Sequence, residues 1–190
     1  MSLDFSGKDI LLSHVDHAVQ AGKAEAITDA LRSALCELVG RDDIRLPDCV
    51  FDWNAEHYCR RLIHQDDSLG YSIMAMTWAP GQGTPIHDHA GMWCVEAVWA
   101  GEIEVEQYEL MEQREQRYRL ERRTVMRTGT GSAGSLIPPH EYHTIANPSA
   151  DQPAVTLHIY EGNLNCCSTF HPLGEDWYLG EARTLKLDAA

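Results

Sequence analysis

From about residue 70 to residue 161 the chain is cut into short runs rich in aromatic and β-branched residues, divided by Gly and Pro. Runs of that length and make-up read as strands. They fall near 71–78, 92–99, 102–111, 116–122, 133–137, 141–146 and 153–161, with turns at Pro80-Gly81-Gln82-Gly83 and Ala100-Gly101. So many closely spaced strands cannot alternate with crossover helices. The pattern predicts an antiparallel sandwich or barrel that closes its edges, with helices packed on one side.

The helices come first in the chain. Leu12, Val15 and Val19, then Ala24, Ile27, Leu31, Leu35 and Leu38, recur at three- and four-residue spacing, which predicts two amphipathic helices between Ile10 and about Val39. Gly22 separates them and Gly40 ends the second. Asn54 is expected to cap a third short helix over Ala55–Leu62. From Thr169 onwards Phe170, Pro172, Trp177, Tyr178 and Leu179 read as an irregular wrap. The expectation is therefore one domain over 1–190: a helical part at about 8–62, a β-barrel at about 70–165 and a C-terminal wrap over 166–190.

With 44% hydrophobic and 23% charged residues, the chain has the balance of a globular protein. A formal charge of −14 with only 15 Lys and Arg argues against a nucleic-acid partner, which needs a basic surface. The longest apolar runs, such as Ile73–Trp78 and Val95–Ala100, fall far short of the roughly 20 residues a bilayer requires. No membrane association and a cytoplasmic location are expected, with the chain a monomer or small homo-oligomer. Six cysteines (Cys36, Cys49, Cys59, Cys94, Cys166 and Cys167) include no CxxC pair. Reduced thiols fit best, and the adjacent Cys166 and Cys167 are expected free, near a pocket mouth.

In Pro85-Ile86-His87-Asp88-His89 two imidazoles stand at i and i+2, so on a strand they share a face and can share one ion. The surroundings extend the pattern: Gly81 lies six positions before His87, Cys94 five after His89, and Gly101 beyond six intervening residues. This resembles the first cupin motif, G(X)5HXH(X)4E(X)6G, with Cys94 in the place of the Glu ligand. His143-Thr144-Ile145-Ala146-Asn147, with Pro138 five residues before His143, resembles the end of the second cupin motif. There His140 stands where the motif has Gly, and the interval from Gly131 to Pro138 is one residue too long. The resemblance implies a mostly β cupin barrel (double-stranded β-helix, or jelly roll) with N-terminal α-helices on one side, and a metal held by His87, His89 and His143. His140 stays outside that set, as a rim residue.

From Tyr58 to about Phe170 the sequence is similar to the cysteine dioxygenase family, cupin-type thiol dioxygenases of a bacterial type I-like kind. That resemblance implies Fe(2+) as cofactor and a small thiol plus O2 as substrates. A neutral three-histidine set lacking the carboxylate would leave the metal its full charge, with positions open for an anionic bidentate ligand and for oxygen. The family's carboxylate-binding Arg corresponds to Arg60, and Tyr58 and Trp78 also have counterparts. Arg61 reads as a solvated neighbour. Thr156, His158 and Tyr160 alternate on one strand face, where a hydroxyl, an imidazole and a phenol can form a relay. In the family this is a Ser-His-Tyr triad whose Tyr sits beside the iron. Cys94 matches a cysteine that some members join covalently to that Tyr, so a Cys94–Tyr160 thioether and a free buried thiol both stay open. The resemblance implies oxidation of L-cysteine to its sulfinic acid. 3-Mercaptopropionate, mercaptosuccinate and a non-catalytic metal- or ligand-binding cupin are the alternatives.

Overall fold

A computed structural model describes residues 3–189. Helices α1 (Lys8–Val19) and α2 (Ala24–Leu38) form as the periodicity predicts, α1 burying Leu11, Val15 and Ala18 and α2 burying Thr28, Leu31, Leu35 and Leu38. Gly22 and Gly40 adopt positive φ, +120° and +85°, as expected of the residues that separate and end helices.

The expected third helix does not form. Asn54 Oδ1 instead accepts the Glu56 backbone N–H at 2.8 Å, closing a tight turn, and a 3-10 turn lies earlier at Asp48–Phe51. The chain then enters strand β1 (Cys59–Asp66), paired antiparallel with β2 (Tyr71–Trp78). An eight-residue helix is marginal alone, whereas pairing with β2 satisfies the backbone and buries both Arg60 and Arg61. Tertiary pairing thus overrides the local capping signal.

The remaining strands are β3 (Ile86–His87), β4 (Cys94–Ala100), β5 (Glu102–Arg114), β6 (Arg117–Gly129), β7 (Ala133–Leu136), β8 (His143–Ala146) and β9 (Ala154–Glu161). Where a wrap was expected, β10 (Cys166–Gly174) and β11 (Trp177–Thr184) form an antiparallel hairpin. One sheet has the order β1-β2-β9-β4-β7, and the second closes in the order β10-β11-β6-β5-β8-β3. This is the mostly β, cupin-type barrel with helices on one side that the sequence predicts. Among the described residues no helix is long and apolar enough to cross a membrane.

Alternation along the first sheet positions the site. Ile73, Ala75, Val95, Ala97, Val155, Leu157 and Ile159 pack in one cluster with the helix residues Leu11, Val15, Leu31 and Leu35. Their neighbours Met74, Met76, Trp78, Cys94, Val98 and Tyr160 belong to a second cluster, on the face turned into the barrel. Both faces being covered, all eight residues of β2 are buried, as a strand in the middle layer must be. Each fully buried Leu of α2 contributes about 1.5–3 kcal/mol to this packing.

Candidate metal centre and pocket

His87 on β3 and His143 on β8 are direct cross-strand partners, and His89 follows two residues after His87. Their ring centroids are 4.3 Å (His87–His143), 5.0 Å (His89–His143) and 5.4 Å (His87–His89) apart. One ring nitrogen from each lies within 4.8 Å of the others. Asp88, between the two histidines, faces away and stitches the segment to β10: its Oδ1 accepts from the Ser168 backbone N–H at 2.7 Å, and its own N–H donates to Ser168 O at 3.1 Å.

The three histidines are candidate metal ligands. His87 Nδ1 lies 3.2 Å from Pro85 O and His143 Nδ1 2.9 Å from Glu141 O. A carbonyl only accepts, so each Nδ1 carries a proton. Burial, then the neighbouring His143, pushes His87 down to about 3, and the same causes hold His89 well below its usual range. Held neutral, His87 and His89 each have a lone pair to offer a divalent metal.

Cys94 and Tyr160 face one another in register on β4 and β9. The two side chains are hydrogen-bonded, the buried thiol being raised well above its usual range mainly by desolvation, and Cys94 is free. The Tyr160 ring lies 5.4 Å from that of His89. Trp78 Nε1 donates to Thr156 Oγ1 at 2.9 Å, and that hydroxyl lies 2.7 Å from His158 Nε2. The first link of the expected relay therefore forms. The second does not: the rings of His158 and Tyr160 stack with centroids 5.9 Å apart, and His158 Nδ1 has no hydrogen-bond partner.

That nitrogen is instead 4.0 Å from Glu96 Oε1, an atom also 3.0 Å from His143 Nε2. Glu96 is 6% exposed. Burial disfavours its charge, yet the surrounding His143, His158 and His87 together hold its carboxyl down to about 2. The sequence reading passed over Glu96. Its signal was present, because Glu96 lies two residues after Cys94 and so on the same strand face.

A pocket beside the histidines is lined by Tyr58, Arg60, His87, His158, Tyr160 and Arg183, among others. Arg60 is 4% exposed; its guanidinium donates to Leu164 O at 3.1 Å and to Lys186 O at 3.3 Å, while its backbone N–H donates to Asp188 Oδ2 at 2.8 Å. Its Nε is buried without a partner. The Tyr58 ring stacks on Trp78 at 4.7 Å. Arg61 is not the solvated neighbour its position suggested, since it is buried and bonded to Asp52 O, Ala189 O and Thr77 Oγ1. The exposed Arg183 at the pocket mouth was not anticipated, because β11 was not. Cys167 lines the pocket, Cys166 is exposed, and both are free. His140 stands outside the three-histidine cluster, in the turn before β8.

A model of the family described as cysteine dioxygenase type I matches residues 48–172. Cysteine dioxygenase type 1 of Rattus norvegicus is 25% identical over 114 residues, covering 60% of this chain and 55% of the relative. That of Danio rerio is 24% identical over 140 residues, covering 68% and 61%. The chain thus spans little more than half the length of the curated relatives it matches. A solved structure from Klebsiella pneumoniae subsp. pneumoniae with a double-stranded β-helix domain is 17% identical, covering 65% of this chain and 88% of that one at a TM-score of 0.49. The family match runs from before β1 into β10 and contains every residue from Tyr58 to Tyr160 described above; the chain belongs to the cysteine dioxygenase type I family.

Proposed function

We propose that this protein is a non-haem iron thiol dioxygenase acting on a small carboxylated thiol, L-cysteine first. The observation that carries this reading is the shared pocket lining of Arg60, Tyr160, His158 and His87: a cation for a carboxylate, a phenol for the reacting end, and an imidazole of the histidine cluster. In the overall reaction RSH and O2 give RSO2⁻ and H⁺. Both oxygen atoms form bonds to sulfur, whose four-electron oxidation balances the reduction of O2.

His87, His89 and His143 would hold iron(II), which supplies when bound a site for the thiolate and a route for electrons to oxygen. Arg60 is anchored by two backbone carbonyls, so its cation is fixed before substrate arrives, and its unpartnered Nε can give a carboxylate a charge-assisted hydrogen bond. Burial pushes the Tyr160 phenol well above its usual range; it keeps its proton and donates a hydrogen bond to a sulfur or oxygen nearby. Met76, Trp78 and Leu164 wall the pocket with apolar surface and limit water access to the reacting groups.

Arg183 supports a second reading. A further cation in the same lining suits a thiol with two carboxylates, such as mercaptosuccinate, whereas 3-mercaptopropionate needs Arg60 alone. An oxygen electrode combined with sulfinate detection, on iron-loaded protein offered each of the three thiols, separates these readings. Oxygen uptake with cysteine should dominate and fall at least tenfold in Arg60→Gln. No uptake with any thiol would leave a non-catalytic metal-binding cupin, and unchanged relative activities in Arg60→Gln would remove Arg60 as the carboxylate anchor.

A further inference from the structure

The barrel has a second opening. Strand β7 pairs with β4 so that Gly134 lies opposite Glu96 and Leu136 opposite Cys94, and directly opposed residues share a face. Gly134 therefore stands on the face turned into the barrel, where Val98, Ile103 and Leu136 are buried. Glycine inside a strand commonly answers a bulge, a positive φ or a close backbone approach. None applies to Gly134: it sits in unbroken pairing, its φ is not positive, and a Cβ built on it would meet no atom within 4 Å. What the missing side chain leaves is space. A cavity of about 130 Å³ opens there, with the exposed Gly134 and Met126 at its mouth, Val98, Ile103, Val105 and Leu136 along its walls, and the buried Glu96 at its floor.

That floor adjoins the histidine cluster. Glu96 Oε1 lies 3.0 Å from His143 Nε2 and 4.0 Å from His158 Nδ1, and Gln107, also in the cavity lining, is the cross-strand partner of His143. Among the described residues, this cavity and the pocket of Arg60 and His87 share no lining residue. A thiol held between Arg60 and His87 would fill its own pocket and close that path to a second reactant. The two linings also differ in kind. Arg60 and Arg183 suit an anion, whereas apolar walls favour a small uncharged molecule leaving water, and an apolar cavity of roughly this size admits xenon or benzene. We propose that this cavity is the entry for O2, bringing it to the histidine cluster by a route separate from the thiol's, and that Gly134 holds the entry open. The purpose of the route rests on the thiol dioxygenase reading; the access of O2 to the cavity does not.

The test joins a measurement without turnover to one with it, on the parent, Gly134→Ala and Gly134→Leu. O2 is paramagnetic and speeds the relaxation of methyl protons it touches. In protein loaded with diamagnetic zinc(II) and held under O2, the methyls of Val98, Ile103, Val105 and Leu136 should relax faster than those of Leu31 and Leu35 on the helix side. In Gly134→Leu, whose side chain plugs the mouth, that excess should disappear. An oxygen electrode then follows the iron-loaded proteins with saturating thiol: kcat/KM for O2 should fall about fivefold in Gly134→Leu while KM for the thiol holds, because a merely structural disturbance would move both. Gly134→Ala, with its Cβ in open space, should stay near the parent. No excess relaxation in the parent overturns the proposal, and so does an unchanged kcat/KM for O2 in a Gly134→Leu protein that has lost the excess. Should Gly134→Leu fail to fold, Met126→Trp plugs the same mouth from the exposed side and is read by the same outcomes. A parent that consumes no O2 with any thiol, while the cavity methyls still relax, refutes the proposed reaction and supports the access of O2 to the cavity.

Discussion

His158 is a base held without a proton by its surroundings. Burial pushes it from 6.5 down to about 4, and Glu96, which pulls the other way, does not overcome that. As pH falls through 6.5 the unfolded chain takes up a proton that the folded protein refuses until near 4, so stability is lost across that window, by about 3 kcal/mol from this residue alone. Glu96, with its folded-state carboxyl lowered to about 2, loses its contribution in the same direction once pH drops below 4.5. The melting temperature of metal-free protein should therefore fall between pH 6.5 and 4, with a shallower fall in His158→Gln. A flat profile in both would contradict the burial account. At this scale the sequence was readable where spacing carries chemistry. His87 and His89 announce themselves because an i, i+2 pair can only share a face, and Arg60 stood out only through likeness to a family. Glu96 was hidden among 29 acidic residues, since nothing local separates a carboxylate aimed inward from one left in water.

Elements were legible to the extent that their burial is one-sided. Helix α2 shows its buried stripe directly in Leu31, Leu35 and Leu38. Leu35→Ala should cost 2–5 kcal/mol in urea unfolding, while cobalt affinity at the histidine cluster stays within about threefold, because α2 packs on the sheet face turned away from the site. Should metal affinity fall in step with stability, the separation of the two faces is wrong. The hairpin of β10 and β11 gave no such stripe: most of its residues past Phe170 are at least partly exposed, and Pro172 reads as a breaker. Strand β6 ran longer than expected for a related reason. Its outer half is carried by exposed cross-strand pairs, Arg122 with Glu106, Arg123 with Glu109 and Arg127 with Glu104, which contribute little energy singly and carry no hydrophobic period. The segment at 55–62 failed in the opposite way, a sound local signal losing to a partner strand more distant in sequence.

Across the whole molecule, the candidate metal ligands are far apart in sequence, His87 on β3 and His143 on β8, so an ion there would tie the two strands together. Metal that binds only the folded state adds about 2.7 kcal/mol at a hundredfold excess over its dissociation constant. Calorimetry with iron(II) or cobalt(II) present should give a higher melting temperature than after chelation, and an unchanged value would mean that no ion is held by the fold. The general architecture was foreseeable because short alternating strands after two amphipathic helices admit few packings. The closing of the second sheet by the C-terminal hairpin was not, because those strands bury little.

Strand β9 belongs to two neighbourhoods at once: Val155, Leu157 and Ile159 pack toward the helices, while His158 and Tyr160 line the pocket and Thr156 bonds to His158. Heritable change in this strand can therefore run along two separate tracks. Substitutions at the odd positions adjust how tightly the shell is held, those at the even positions adjust the pocket's lining, and a lineage could drift far along the first while its pocket stays the same.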